Sequence, residues 1–224
     1  MELPKFVPMR PKEPKGPEYA SRFLGLCKDN DWVLECKYDG VRCMMHYQNG
    51  EVRLLCQRES YFSGLSEVEA RVKKVVDLTN VGSLVLDCEL VSFGSNNLPD
   101  YDLLLNGQGR RSLVVFDLLY AGEQDFSSVR FMQRKFTLSE IYEKLLLTGG
   151  REILRLAEAY WGAEAKLEAY VKVRRERREG VLFKHKKSVY NDTVLPWWKI
   201  VNPDYKGVLR QRALNFVRLT KQRP

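Results

Sequence analysis

Glu35-Cys36-Lys37-Tyr38-Asp39-Gly40-Val41-Arg42 is the stretch from which the fold can be read. It sets one lysine between two apolar runs, Trp32-Val33-Leu34 before it and Cys43-Met44-Met45 after it, with a turn-forming Asp-Gly directly behind. The pattern is strand, turn, strand, and it leaves Lys37 at a strand end, beside a pocket. A lysine amine becomes nucleophilic when neighbouring cations or desolvation disfavour its charge, and Arg42 is close enough in sequence to contribute. Taken alone, the stretch is equally a solvated lysine in a loop, so the rest of the chain must decide.

Working outward, Val41 to Tyr47, Gln48-Asn49-Gly50 and Val52 to Gln57 form a hairpin pattern, because Asn-Gly between β-prone runs is the strongest short turn signal. Arg58 closes its second strand. Ser66 to Val76 places Val68, Val72, Val75 and Val76 on one helical face behind a serine cap. Leu84 to Val91 reads as a buried strand carrying two carboxylates, Asp87 and Glu89, and an unpartnered buried charge is costly enough that Glu89 should stand at the strand end or serve a site. Ser92 to Arg111 is polar and glycine-bearing, a loop or pair of turns; Leu113 to Tyr120 is a further strand, in which Phe116 by itself would be core. Helical spacing spans Arg130 to Leu147, with Phe136, Leu138, Ile141, Tyr142 and Leu145 on its apolar face, and Ala163 to Glu176, and both helices read as scaffold. Upstream, five of the nine prolines fall within residues 1–20, an extended leader before a helix at Tyr19 to Lys28. Residues 21–224 then read as one domain.

Composition narrows the class. The chain has 224 residues, 44% of them hydrophobic, enough for a substantial core, and contains no apolar run of membrane-spanning length. No secretory signal opens it, so the expected location is intracellular, cytoplasmic or nuclear. Cys27, Cys36, Cys43, Cys56 and Cys88 are odd in number, form no C-x-x-C pair and read as reduced core thiols. His46 and His185 are the only histidines, which excludes chemistry built on several; His46 reads as structural. From Lys172 onward 15 Lys and Arg stand against 4 Asp and Glu, an excess of 11, so the first 171 residues sum to −3 of the overall +8. Such a basic quarter attracts phosphate backbones, although charge runs are also ordinary solvated surface.

The motif K-x-D-G-x-R at Lys37 to Arg42 resembles the nucleophile motif of the covalent nucleotidyltransferases: ATP-dependent DNA ligases, RNA ligases and mRNA-capping guanylyltransferases. Lys-Tyr-Asp-Gly-Val-Arg looks most like the DNA ligases. Further motifs follow in the family's order. Gln57-Arg58 resembles the Ser-Arg pair that ends the hairpin, with the serine changed. Asp87-Cys88-Glu89-Leu90 resembles D-G-E-L with cysteine for glycine, and Glu179-Gly180-Val181-Leu182-Phe183-Lys184 matches E-G-x-x-x-K. Trp197-Trp198-Lys199-Ile200-Val201 resembles W-x-K-x-K with Val201 for the second lysine.

The resemblance implies an α+β fold: an ATP-grasp-like nucleotidyltransferase domain of antiparallel sheets flanked by helices. It implies ATP and Mg²⁺ (or Mn²⁺) as cofactors, with Lys37 accepting AMP covalently. Glu35 would accept from the adenine amine and Phe116 would stack on the base. Arg42 would contact the nucleotide, Arg58 would reach its ribose and phosphate, Glu89 the ribose and metal region, Glu179 the metal, and Lys184 and Lys199 the phosphates. The implied partner is nicked double-stranded DNA, and the placement of the positive charge in the C-terminal quarter predicts its approach over Lys186, Lys187, Lys206, Arg210 and Arg212. Family members carry an OB-fold after this domain. About 23 residues follow Val201, with one more strand or helix expected from Gly207 to Arg223, so the OB-fold is expected to be absent or supplied elsewhere. RNA ligase and capping guanylyltransferase stay open as alternatives, as does a nucleic-acid-binding module whose chemistry has decayed.

Overall fold

The computed structural model describes residues 3–56 and 64–205. Arg58 and the expected element from Gly207 to Arg223 lie outside them. The chain divides into two compact units: a larger one from residues 3–10, Tyr38–Glu158 and His185–Pro196, and a smaller one from Pro11–Lys37, Ala159–Lys184 and residues 197–205.

The larger unit is built on a sheet of β2 (Val41–Gln48), β3 (Glu51–Cys56), β4 (Leu84–Phe93), β5 (Arg110–Ala121) and β6 (Gln124–Asp125) in the order β3-β2-β4-β5-β6. The Asn-Gly hairpin is as expected: Asn49 and Gly50 both take positive φ, 52° and 72°, which lets a two-residue turn follow the strand twist. Successive side chains alternate between faces. Val41, Cys43 and Met45 of β2 join Leu84, Leu86, Cys88 and Leu90 of β4 and Leu113, Val115 and Leu118 of β5 in one core. The helices α2 (Leu65–Val76) and α4 (Phe131–Leu147) cover it with their buried valines and with Leu138, Ile141 and Leu145. Phe136, expected on that face, is instead 66% exposed. Gly64, not a serine, stands at the N-cap of α2, in left-handed conformation; Ser66 lies inside the helix.

Three features of this unit escaped the sequence. A short strand β7 (Leu154–Leu156) pairs in parallel with β5, so the sheet is not purely antiparallel. A one-turn helix α3 (Tyr101–Leu105) sits within the expected loop, capped by Asp100, whose carboxylate accepts from the N–H groups of Asp102 and Leu103. The Cys43 and Cys56 sulfurs are bonded to each other, correcting the expectation of five reduced thiols. The hairpin register explains the pair: Cys43 and Cys56 are direct cross-strand partners, so their side chains meet on one face.

The smaller unit carries β1 (Trp32–Lys37), β8 (Ala159–Tyr160), β9 (Gly180–His185) and β10 (Trp198–Val201) in the order β10-β9-β1-β8. Helices α1 (Glu18–Lys28) and α5 (Ala163–Arg175) pack on it, Phe23 meeting Tyr170 at 4.3 Å between ring centroids and Phe183 at 6.1 Å. The ammonium of Lys166, a fully buried residue, donates to the carbonyls of Leu26, Asp29 and Trp32 at 3.1, 2.7 and 3.0 Å, which closes the C-terminal end of α1 and fixes the entry to β1. The leader divides between the units, and its Lys12 bonds both sides of Trp198, from its N–H to the Trp197 carbonyl and from the Lys199 N–H to its own.

Candidate active site

The smaller unit holds the nucleophile candidate. Lys37 ends β1, partly exposed, and its Nζ lies 2.7 Å from the Glu179 carboxylate. Two residues back on the same face of the strand, Glu35 is buried with its carboxylate 2.7 Å from Lys184 Nζ. The Lys184 ammonium also lies 4.0 Å from the centre of a Trp197 ring, an attractive cation–π position for a charge wholly out of water. Lys199 pairs with Glu13 of the leader at 3.0 Å. Four motif residues read from the sequence are thus joined as two ion pairs, and a third binds the leader.

Gly180 holds the spacing of this set. Its φ is +151°, outside ordinary L-residue territory, and a Cβ there would come within 2.2 Å of the Ile200 carbonyl oxygen. Gly180 and Val201 are cross-strand partners, so the position where the family pattern has its second lysine is occupied by a buried valine against a glycine.

In the larger unit the second face of the sheet carries the remaining motif residues. Arg42 of β2 and Glu89 of β4 are direct partners, and Glu89 is in turn the partner of Val114 on β5. β5 has one residue more than β4 between Asp117 and Val115, and that residue is Phe116. A bulge re-aims its side chain. The Arg42 guanidinium stands 5.4 Å from the centre of the Phe116 ring.

Arg42 is held from below. Its Nε and Nη2 donate to the two oxygens of Asp87 at 2.9 and 2.5 Å, and its Nη1 donates to the Met9 carbonyl. Tyr190 donates to Asp87 at 2.6 Å and accepts from the Met9 N–H at 3.1 Å. Burial works against the Arg42 charge, but Asp87, with Tyr190 and Glu89, outweighs it and the guanidinium is held above its usual value; burial and then Asp87 push the Tyr190 phenol up. Beside this array Asp117, the cross-strand partner of Asp87, takes Arg134 in a bidentate pair at 2.7 and 2.9 Å. Tyr190, Asp117 and Arg134 were not singled out in sequence, and Asp87 was given no role there. The available signal was Asp87 in the same motif as Glu89.

Gly40 ties the nucleophile motif to the Glu89 motif: a Cβ on it would meet the Leu90 carbonyl oxygen at 2.2 Å and the Glu89 side chain at 2.9 Å. Cys88, where the family pattern has glycine, faces the core on the opposite side of β4 from Glu89, and burial pushes its thiol far up. The departure therefore alters packing rather than the charged face. Of the expected DNA-facing residues, Lys206, Arg210 and Arg212 lie outside the described residues, as does Arg58.

Glu89 and Glu179 each offer hard oxygen donors, and no cluster of three or more His, Cys, Asp or Glu side chains able to hold a metal forms among the described residues. Either carboxylate by itself has the chemistry of a Mg²⁺ ligand, an ion bound through one or two carboxylates and substrate phosphates rather than in an all-protein cage. No helix among the described residues is long and apolar enough to cross a membrane.

Comparison with known proteins matches these observations. The SPbeta prophage-derived DNA ligase-like protein LigB of Bacillus subtilis (strain 168) is 23% identical over 192 residues, covering 81% of this chain and 65% of that protein. The DNA ligase of Aeropyrum pernix is 26% identical over 197 residues, covering 78% and 31%. This chain thus spans about two thirds of one relative and a third of the other. Among solved structures, mycobacterial DNA ligase D complexed with ATP and MES superimposes with a TM-score of 0.64 at 22% identity, covering 86% of this chain and 59% of that one. The bacteriophage T7 ATP-dependent DNA ligase in complex with ATP gives 0.57 at 17%, covering 86% and 68%. These two likenesses show a shared ligase nucleotidyltransferase fold, α+β with curled antiparallel sheets. The family model for the ATP dependent DNA ligase domain matches residues 18–200, from the start of α1 into β10, and the chain belongs to that family.

Proposed function

We propose that the protein carries out the adenylation chemistry of a DNA ligase, forming a lysyl-AMP intermediate on Lys37 and passing the AMP to the 5′-phosphate of a DNA nick. The observation that carries this reading is the Lys37–Glu179 pair: a lysine at a strand end, partly open to solvent, bonded to the carboxylate of the E-G-x-x-x-K motif. The attacking form is the neutral amine, so the pair must open before reaction, and Glu179 is released when it turns to a cation. The amine lone pair then forms a bond to the α-phosphorus of ATP, the bond to the β-phosphate oxygen breaks, pyrophosphate leaves and Nζ loses its proton. Glu89 and Glu179 are each candidate ligands for Mg²⁺, which would supply charge neutralisation at the phosphates.

The chain's own residues do the rest. Lys184 and Lys199 meet the developing phosphate charge once released from Glu35 and Glu13. Phe116 supplies a flat face for the purine, which serves any purine equally, so the choice of base falls to Glu35 accepting from the exocyclic amine. Arg42, locked on Asp87, is presented to the ribose beside Glu89. The nick is then sealed when a 3′-hydroxyl displaces AMP from the activated 5′-phosphate.

Incubation with ATP labelled at the α-phosphate, then a denaturing gel, tests the reading. A labelled band that disappears in Lys37→Ala, with unchanged circular dichroism, is the expected result. A band persisting in that variant refutes Lys37 as acceptor, and a stronger adduct with GTP points to capping chemistry.

A further inference from the structure

The second face of the larger unit's sheet continues past the residues assigned above. Arg42, Glu89, Val114 and Arg155 form one cross-strand row over β2, β4, β5 and β7. Leu113 and Leu154, one position back, both face the core, so Arg155 points to the same side as Arg42 and Glu89. Three strand spacings place it about 14 Å from Arg42.

There Arg155 meets Arg110, the partner of Phe93 at the start of β5. The Arg155 guanidinium lies over the Phe93 ring at 3.7 Å from its centre, and its Nη1 donates to Asn97 Oδ1 at 3.1 Å. Arg110 Nη2 points at the same oxygen from 3.4 Å. Two cations therefore share one neutral acceptor, and neither has an ion pair with a carboxylate among the described residues. Burial, and then the Arg110 charge, pull the Arg155 guanidinium below its usual value, and the Arg110 effect exceeds the opposing one from Glu152.

The arrangement is built rather than incidental. Asn97 is held at φ +57° by a turn in which its N–H donates to the Gly94 carbonyl and the Gly94 N–H to that of Leu98. Asp100 N–H donates to Ser92, closing the loop onto β4. Like charges fixed around a neutral oxygen are relieved by an anion, and paired guanidinium forks match phosphate oxygens.

We propose that Arg110 and Arg155, positioned by Asn97 and Phe93, bind a backbone phosphate of the DNA substrate. The substrate class rests on the function proposed above. At about 14 Å, this phosphate is separate from those attached to the nucleotide at Arg42 and Glu89.

The test compares Arg110→Gln, Arg155→Gln and the double variant in two assays: anisotropy of a fluorescein-labelled nicked duplex over a salt series, and Lys37 adduct formation with labelled ATP. Expected is roughly tenfold weaker duplex binding in the double variant, with the slope of log affinity against log salt smaller by about 1 and the adduct yield unchanged. Arg155→Lys, which keeps the charge but loses the fork, should fall between. Arg110 is exposed, so Arg110→Gln still reports if a change at Arg155 disturbs folding. Unaltered affinity and slope overturn the proposal, as does an unsubstituted chain that does not bind the duplex. Adduct yield falling in step with binding also overturns it, because the arginines would then serve ATP. Arginine-dependent duplex binding with no adduct in the unsubstituted chain would refute the ligase reading and leave this site standing.

Discussion

Replacing Asp87 by Asn keeps the size of the side chain and removes the charge that holds Arg42. Asp87 is 0% exposed and accepts from Arg42 twice and from Tyr190 once, at 2.5 to 2.9 Å. The amide that replaces it brings an N–H₂ group against donors on every side. Removing one partner of a buried ion pair costs about 3–5 kcal/mol, because the other charge is stranded; the Arg42 side chain keeps 16% exposure, so water recovers part and about 2–4 kcal/mol is expected. For a chain of this length each kcal/mol moves the midpoint by about 2–4 °C, giving a fall of roughly 5–15 °C in thermal unfolding followed by circular dichroism. Tyr190→Phe removes one hydrogen bond to a charged group and should cost about 1.5–3 kcal/mol. Combined with Asp87→Asn it should cost less than the sum, since both changes act on the same carboxylate. Arg42→Met with Asp87→Leu, which removes both charges, should be more stable than Asp87→Asn. A midpoint within about 2 °C of the unsubstituted protein for Asp87→Asn, or a double apolar variant no better than it, would refute the view that Arg42 is held by a buried charge.

Gly180→Ala forces a Cβ toward the Ile200 carbonyl at a φ of +151°, so it should lower stability by about 1–3 kcal/mol from backbone strain and more from the overlap. An unchanged urea midpoint would show that β9 and β10 do not approach as described. Burial pushes the Cys27 thiol up to about 11 from 9.0, so the folded chain retains this proton more tightly than the unfolded one. Its contribution is complete below pH 9 and is lost as pH rises through 11, by about 3 kcal/mol at most. A Cys27→Ala chain should show a correspondingly shallower decline in unfolding free energy over that window, and identical pH profiles would contradict the assignment.

Much of the candidate site was legible because its motifs are local. Lys37 at the end of a strand, the Asn-Gly hairpin, Glu89 in an otherwise apolar run and Gly180 before a strand each follow from residue order within about ten positions. Periodicity gave α1, α4 and α5 nearly to the residue, because a helix or strand with one buried face writes its period into the chain. It failed at Phe136, whose exposure depends on what α4 packs against, and at β6, β7 and β8, which are too short to show a period.

Pairing across the sheet was beyond the sequence. Nothing in residue order says that Asp87 meets Arg42 and Tyr190, that Asp117 meets Arg134, or that Cys43 meets Cys56; strand register and the bulge at Phe116 decide these. The same holds for Arg110 and Arg155, 45 positions apart and brought to one oxygen by the β5–β7 pairing and the Asn97 turn. The chemical types and their order were fixed by the chain. Which charges neutralise one another, and which two cations are left sharing a neutral acceptor, was set by distances that only the tertiary structure supplies, since electrostatic energy depends on separation and burial rather than on position in sequence.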